Sequence, residues 1–186
     1  MYRAVTWIAL DRNMHIGDED QLSILAESVR MTLVTGDSED RLFLDEMDVT
    51  DHLRVATVER HVSAVASVAR VRLALVERQR DIAKQGPVVM VGRDIGTVVL
   101  PNAEFKAFLD ASVDVRAQRR HSEMVAKGLE SNLEQVKADL ARRDKLDTDR
   151  DNSPLRAAED AAVINTDDLG LEEVIIKILK LMELSK

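Results

Sequence analysis

The sequence contains no cysteine, which excludes disulfides and thiolate metal centres and leads us to expect a reducing, cytoplasmic setting. Aromatic side chains are scarce: one Trp, one Tyr and three Phe in 186 residues. No basic stripe is interleaved with them to make a base-stacking platform, so nucleic acid is not an expected partner. Positive charge is outweighed as well. Against 26 Lys and Arg stand 34 Asp and Glu, a formal net charge of −8, which opposes general attraction to nucleic acid or an anionic membrane but permits a local basic cleft. No apolar run reaches the roughly 18 residues of a membrane span, and no signal peptide is recognisable before the first helix. The four histidines, His15, His52, His61 and His121, lack ligand spacing, so no protein-held metal is expected. Glycine and proline are few, seven and three, and the glycines are dispersed.

What is present is 45% apolar content, enough for a core in a chain of this length. Residues 1–10 have helical character, with Val5, Ile8 and Ala9 on one stripe, and 18–30 form a second amphipathic helix with Leu22, Leu25, Ala26 and Val29 inward. The period then changes: 31–35 and 41–45 read as strands of a hairpin around Gly36, Asp37, Ser38, Glu39 and Asp40. Thr50 or Asp51 can cap a helix to about Ser67. Residues 70–84 make another, with Val71, Leu75 and Ile82 inward and Arg72, Glu77, Arg78 and Arg80 elsewhere. Residues 88–91 read as a strand buried on both faces and 105–109 as a second strand. Ser112 caps a helix over 113–127 that ends at Gly128, and Asn132 or Ser131 begins one through about Leu146. Residues 161–165 are a third strand, and 171–184 a closing helix with Val174, Ile175, Ile178, Leu179 and Met182 inward. This alternation predicts an α/β fold with a parallel sheet and flanking helices.

Chemistry concentrates in three places. After the apolar run 88–91, Gly92 and Gly96 bracket Arg93 and Asp94, putting a permanent cation and a carboxylate on a turn at the carboxyl end of a strand, the edge where open α/β sheets bind ligands. On the helix 113–127, Arg116, Arg119 and Arg120 share a face at i, i+3 and i+4. Clustered guanidiniums of this kind suit a phosphate, although a solvated surface satisfies the same spacing. Arg143, Asp147 and Arg150 follow at i, i+4 and i+7, a pattern equally compatible with surface salt bridges. Tyr2, Arg3, Ser63 and Arg72 are individually unremarkable.

Taken in order, these pieces change the reading. Tyr2-Arg3, a small mixed lobe, Ser63 nine residues before Arg72, the run Gly-Arg-Asp-Ile-Gly-Thr-Val-Val at 92–99, an arginine-bearing helix, Arg-Asp-x-x-Asp-x-x-Arg at 143–150 and then Pro154-Leu155 resemble bacterial-type cytidylate kinases, nucleoside-monophosphate kinases, over essentially the whole chain. The resemblance implies a P-loop-kinase-like parallel sheet, with 1–17 and 67–186 as the core, a lid at about 113–146 and an inserted monophosphate-binding lobe at 18–66. It implies transfer of a phosphoryl group from ATP, with Mg2+, to CMP or dCMP in a monomeric cytoplasmic enzyme of pyrimidine metabolism. Ser63, Arg72 and Asp94 would face the cytosine, where a carboxylate can accept from the exocyclic amine. Arg143 and Asp147 would lie by ribose and phosphate, and Tyr2, Arg3, Arg93 and Arg150 around the acceptor phosphate. Arg116, Arg119 and Arg120 would close over the donor phosphates. Arg93, Asp94, Arg119 and Arg150 are the candidate catalytic residues.

Two departures qualify the resemblance. The Gly-x-x-Gly-x-Gly-Lys-[Ser/Thr] loop that cradles donor phosphates, the helix after it and the first two core strands have no counterpart; the glycines at 17, 36, 86, 92, 96, 128 and 170 never cluster. A truncated start and very low turnover are therefore expected of the 186 residues. The alternatives are a pyrimidine-nucleotide-binding or regulatory protein without the donor loop, and a chain completed by a partner's strand. Val91 also stands where relatives carry an acidic residue.

Overall fold

The computed structural model describes residues 1–34, 36, 40–150 and 152–184. The chain forms two compact units, Met1–Val88 and Val89–Lys186, and each is described by itself.

The first unit is four helices and a small antiparallel sheet. Its helices are α1 (Tyr2–Asp11), α2 (Glu19–Ser28), α3 (Ala56–Ser67) and α4 (Ala69–Lys84). The stripes expected on α1 and α2 are buried: Val5, Ile8 and Ala9 pack with Leu22, Leu25, Ala26 and Val29, and Val71 and Leu75 of α4 complete the core. Asp18 caps α2 by accepting from the Gln21 amide, and Arg78 donates to the carbonyls of Glu27 and Val29 at its other end. β1 (Met31–Val34) and β2 (Arg41–Leu44) pair antiparallel with Met31 opposite Leu44, as the hairpin reading required. The connecting loop lies largely outside the described residues. A two-residue β3 (Met47–Asp48) extends the sheet, and a 3-10 turn (Thr50–Arg54) precedes α3. The helix expected from Thr50 is thus shorter at its start, because the Thr50 hydroxyl is engaged by Asp48 and by the Leu42 amide instead of capping a helix.

The second unit holds the parallel pair. β4 (Ala107–Asp110) and β5 (Ala162–Asn165) run in register from Ala107 opposite Ala162 to Asp110 opposite Asn165. The connection passes through α5 (Val113–Ala126) and α6 (Leu133–Asp149), a long crossover of the kind that parallel strands need. Ser112 and Asn132 cap these helices as the sequence suggested, and α7 (Leu171–Leu184) closes the chain. The fold is α/β with a parallel pair and flanking helices.

Three expectations are corrected. Residues 88–91 are not a buried strand: they take no regular structure, and Val89 and Val91 are 93% and 91% exposed. β-branched residues favour extended backbone, but a strand exists only through a neighbour's hydrogen bonds, and none of the described strands pairs with this run. Nor does α7 bury its apolar stripe. Val174, Ile178 and Met182 are half-buried, while Ile175 and Leu179 are exposed. Arg72, read as outside the core, is buried, with its guanidinium over the Tyr2 ring and bonded to the Ala66 carbonyl.

Candidate functional site

In the first unit, α1, α3 and α4 bring three of the expected residues into one neighbourhood. The Arg72 guanidinium lies over the Tyr2 ring, 5.3 Å from its centroid, and donates to the Ala66 carbonyl at 3.2 Å. Ala66 follows Ser63 by one turn of α3, so the two lie on the same side of the helix. Ser63 is 8% exposed, and its hydroxyl has no hydrogen-bond partner among the described residues. A buried hydroxyl left unpaired costs about 1–3 kcal/mol, so this atom is one that a polar ligand would satisfy. Arg3 is directed elsewhere: it donates to the Leu53 carbonyl at 2.8 Å and to Glu59 at 3.2 Å.

In the second unit, the glycine-bracketed turn is a single wide helical turn of π type over Ile95–Val99, a local expansion frequent at functional sites. Its geometry follows from the Asp94 carbonyl, which accepts from the amides of both Val98 and Val99, at 2.9 and 3.3 Å. The glycines serve close approach. A Cβ at Gly92 would sit 2.9 Å from the Ile95 side chain, and one at Gly96 would sit 3.2 Å from the Lys106 stem. Lys106 is pinned in turn, donating to the Pro101 carbonyl and to both oxygens of Asp160, and this hydrogen bond holds the Asp160 carboxyl below its ordinary range.

Around this turn α6 delivers two carboxylates. Asp144 and Asp147, at i and i+3, share a helix face. Arg93 lies between them, 3.1 Å from an Asp144 oxygen and 3.2 Å from Asp147. Arg143 and Arg150 also approach Asp147, at 3.7 and 3.8 Å, and Arg150 donates to the Ser153 carbonyl at 2.6 Å. Arg116 of α5 reaches the second oxygen of Asp144 at 2.6 Å. Four guanidiniums thus gather about Asp144 and Asp147, and planar donors grouped in this way can grip an anion with several acceptor oxygens. Asp94 and Asp147 are both buried.

The structure brings Arg93, Arg143, Asp147 and Arg150 together. It does not bring Arg116, Arg119 and Arg120 together on one anion. Arg116 goes to Asp144 and to the Ala111 carbonyl. Arg119 donates to the Thr166 and Leu169 carbonyls and to the Thr166 hydroxyl, and Arg120 pairs with Glu123 at 2.8 Å. Lys127 and Arg120 together hold the Glu123 carboxyl down to about 2. Helical spacing placed the three Cα atoms correctly, but long side chains diverge toward whatever acceptors are near. Asp144 was missed as a site residue, although its i, i+3 relation to Asp147 was the available signal. Among the described residues no group of three or more His, Cys, Asp or Glu side chains could hold a metal ion. Asp144 and Asp147 are occupied by arginines, so this donor set does not fit magnesium.

Comparison with known proteins gives a consistent result. A family model described as cytidylate kinase matches residues 1–184. A cytidylate kinase of Bacillus cytotoxicus is 47% identical over 182 residues, covering 98% of this chain and 81% of that protein. One from Bacillus cereus strain G9842 is 46% identical with the same coverage. One from Bacillus thuringiensis strain Al Hakam is 46% identical over 179 residues, 96% of this chain and 80% of that protein.

Proposed function

The chain belongs to the cytidylate kinase family, nucleoside-monophosphate kinases with a P-loop-kinase-like α/β fold, and from that premise we propose that its site accepts a phosphoryl group from ATP onto CMP or dCMP. An oxygen of the acceptor phosphate attacks the γ-phosphorus, the bond to the β-phosphate oxygen breaks, and CDP or dCDP and ADP result. The observation that carries this reading is the cluster of Arg93, Arg116, Arg143 and Arg150 around Asp144 and Asp147. Such transfer needs positioned cations and in-line geometry more than covalent help.

In this reading Ser63, Arg72 and Asp94 recognise the cytosine, with the Ser63 hydroxyl gaining the partner it lacks and the Asp94 carboxylate accepting from the exocyclic amine. Arg143 and Asp147 hold the ribose. Tyr2, Arg93 and Arg150 hold the acceptor phosphate, joined by Arg3 once it releases Leu53 and Glu59. Arg116, which shares Asp144 with Arg93, faces that same phosphate, and Arg119 and Arg120 of the same helix serve the donor side. Arg119 can do so only by exchanging its carbonyl partners. Magnesium would come with the donor phosphates, since the described side chains form no cage for it.

A second reading takes the Ser63 hydroxyl, unpaired among the described residues, and the guanidinium cluster as binding groups alone. It is a pyrimidine-nucleotide-binding protein with little or no transfer. Calorimetry with CMP, dCMP, UMP and AMP, beside a coupled assay for ADP, separates the two. Binding of CMP ahead of UMP and AMP with measurable ADP release supports the kinase; the same binding without ADP release supports the second reading. Equal binding of all four nucleotides overturns both.

A further inference from the structure

Asp144 is engaged by guanidiniums from two separate elements. Its Oδ1 accepts from Arg93 Nη1 at 3.1 Å, on the turn preceding Ile95–Val99, and its Oδ2 faces Arg116 Nη1 at 2.6 Å, on the first turn of α5. Each arginine commits one terminal nitrogen to this carboxylate. Arg116 uses its Nε on the Ala111 carbonyl. The Nη2 of each arginine, and the Nε of Arg93, have no partner among the described residues. Two like charges are therefore held side by side with donors to spare, and the carboxylate between them offsets their repulsion.

We propose that Asp144 is a positioning residue for phosphate recognition, holding Arg93 and Arg116 as a pair whose remaining N–H groups grip a single phosphate group of the bound nucleotide. The inference rests on the nucleotide reading above and adds a residue with a distinct task. Asp147 is buried deeper, beside Arg143 and Arg150, whereas Asp144 alone of the two links the turn to α5. A planar guanidinium with one terminal nitrogen fixed by a carboxylate has fewer orientations open to its remaining N–H groups, so less order is lost when an anion binds.

The test separates the phosphate contribution from the rest of the nucleotide by measuring CMP and cytidine affinities on the full chain. The CMP-to-cytidine ratio is compared for the unmodified chain, Asp144→Ala, Asp144→Asn, Arg93→Ala and the double variant Asp144→Ala/Arg93→Ala. Asp144→Ala should lower the ratio about tenfold with cytidine affinity unchanged, and Asp144→Asn, which keeps one acceptor oxygen, should fall between. In the Arg93→Ala background, removing Asp144 should change the ratio by less than about threefold, because a residue acting through another loses its effect when that other is gone. An Asp144→Ala ratio equal to that of the unmodified chain overturns the proposal. So does an equal loss in both backgrounds, the mark of general destabilisation, and Asp144→Asn supplies the same comparison should the alanine variant fail to fold. If the unmodified chain binds CMP no better than cytidine, the parent reading fails and this one with it; if it does discriminate but Asp144→Ala is without effect, only this one fails.

Discussion

At Ser63 stability and binding are opposed. Its buried hydroxyl has no partner among the described residues, so Ser63→Ala removes an uncompensated polar group and should leave the melting temperature unchanged or slightly raised. CMP affinity should fall about three- to tenfold, as for the loss of one hydrogen bond. Calorimetry beside a melting curve checks both; a lower melting temperature with unaltered affinity would make Ser63 an ordinary core residue. Acid sensitivity is a second matter of single side chains. Asp48, bonded by Thr50 and paired with Arg41, has its carboxyl held down to about 2, as does Glu123. A folded value below the unfolded one of about 4 means that these groups stabilise above that pH and lose their contribution as the pH falls toward 2. The difference in melting temperature between Asp48→Asn and the unmodified chain should therefore be largest near neutrality and vanish by about pH 2. Single residues were also where the sequence was least informative: Asp144 and Arg119 owe their roles to partners 28 and more positions away, which spacing along one helix cannot reveal.

Among elements, the helices were legible because each carries its own evidence. Val5, Ile8 and Ala9 repeat at helical period, and Asp18, Ser112 and Asn132 are caps that act on the next few amides. The hairpin and the two parallel strands were legible too, to within about two residues. Residues 88–91 were not, because a strand is a property of a pair and the apolar run specifies only half of it. The turn after them depends on Gly96 lying against the stem of Lys106, which two acceptors hold in place. Gly96→Ala should displace that pinned lysine at a cost of about 1 kcal/mol, a fall of about 2–4 °C in melting temperature. The loss should disappear in Lys106→Ala/Gly96→Ala relative to Lys106→Ala alone, since truncating the lysine opens the space.

For the whole molecule, burial is unevenly shared. The first unit has a continuous core, whereas Leu109, Val163, Ile175, Ile176 and Leu179 of the second are exposed. Apolar surface of this extent favours association. The purified chain should bind a hydrophobic dye under native conditions, and Val163→Thr with Ile175→Gln should reduce that signal without lowering the melting temperature. Hydrogen exchange should be fastest in α7 and slowest in α1 and α4, following the density of buried contacts. The ties of Arg119 to Thr166 and Leu169, and of the Ser112 amide to Asp167, carry a mechanical consequence. They rivet the first half of α5 to the segment after β5, and Asp144 ties α6 back to Arg116 on that same stretch. Any swinging of this helical arm over a substrate must therefore first release the ion pairs of α6, and the part left free to bend is the junction of the two helices at the left-handed Gly128.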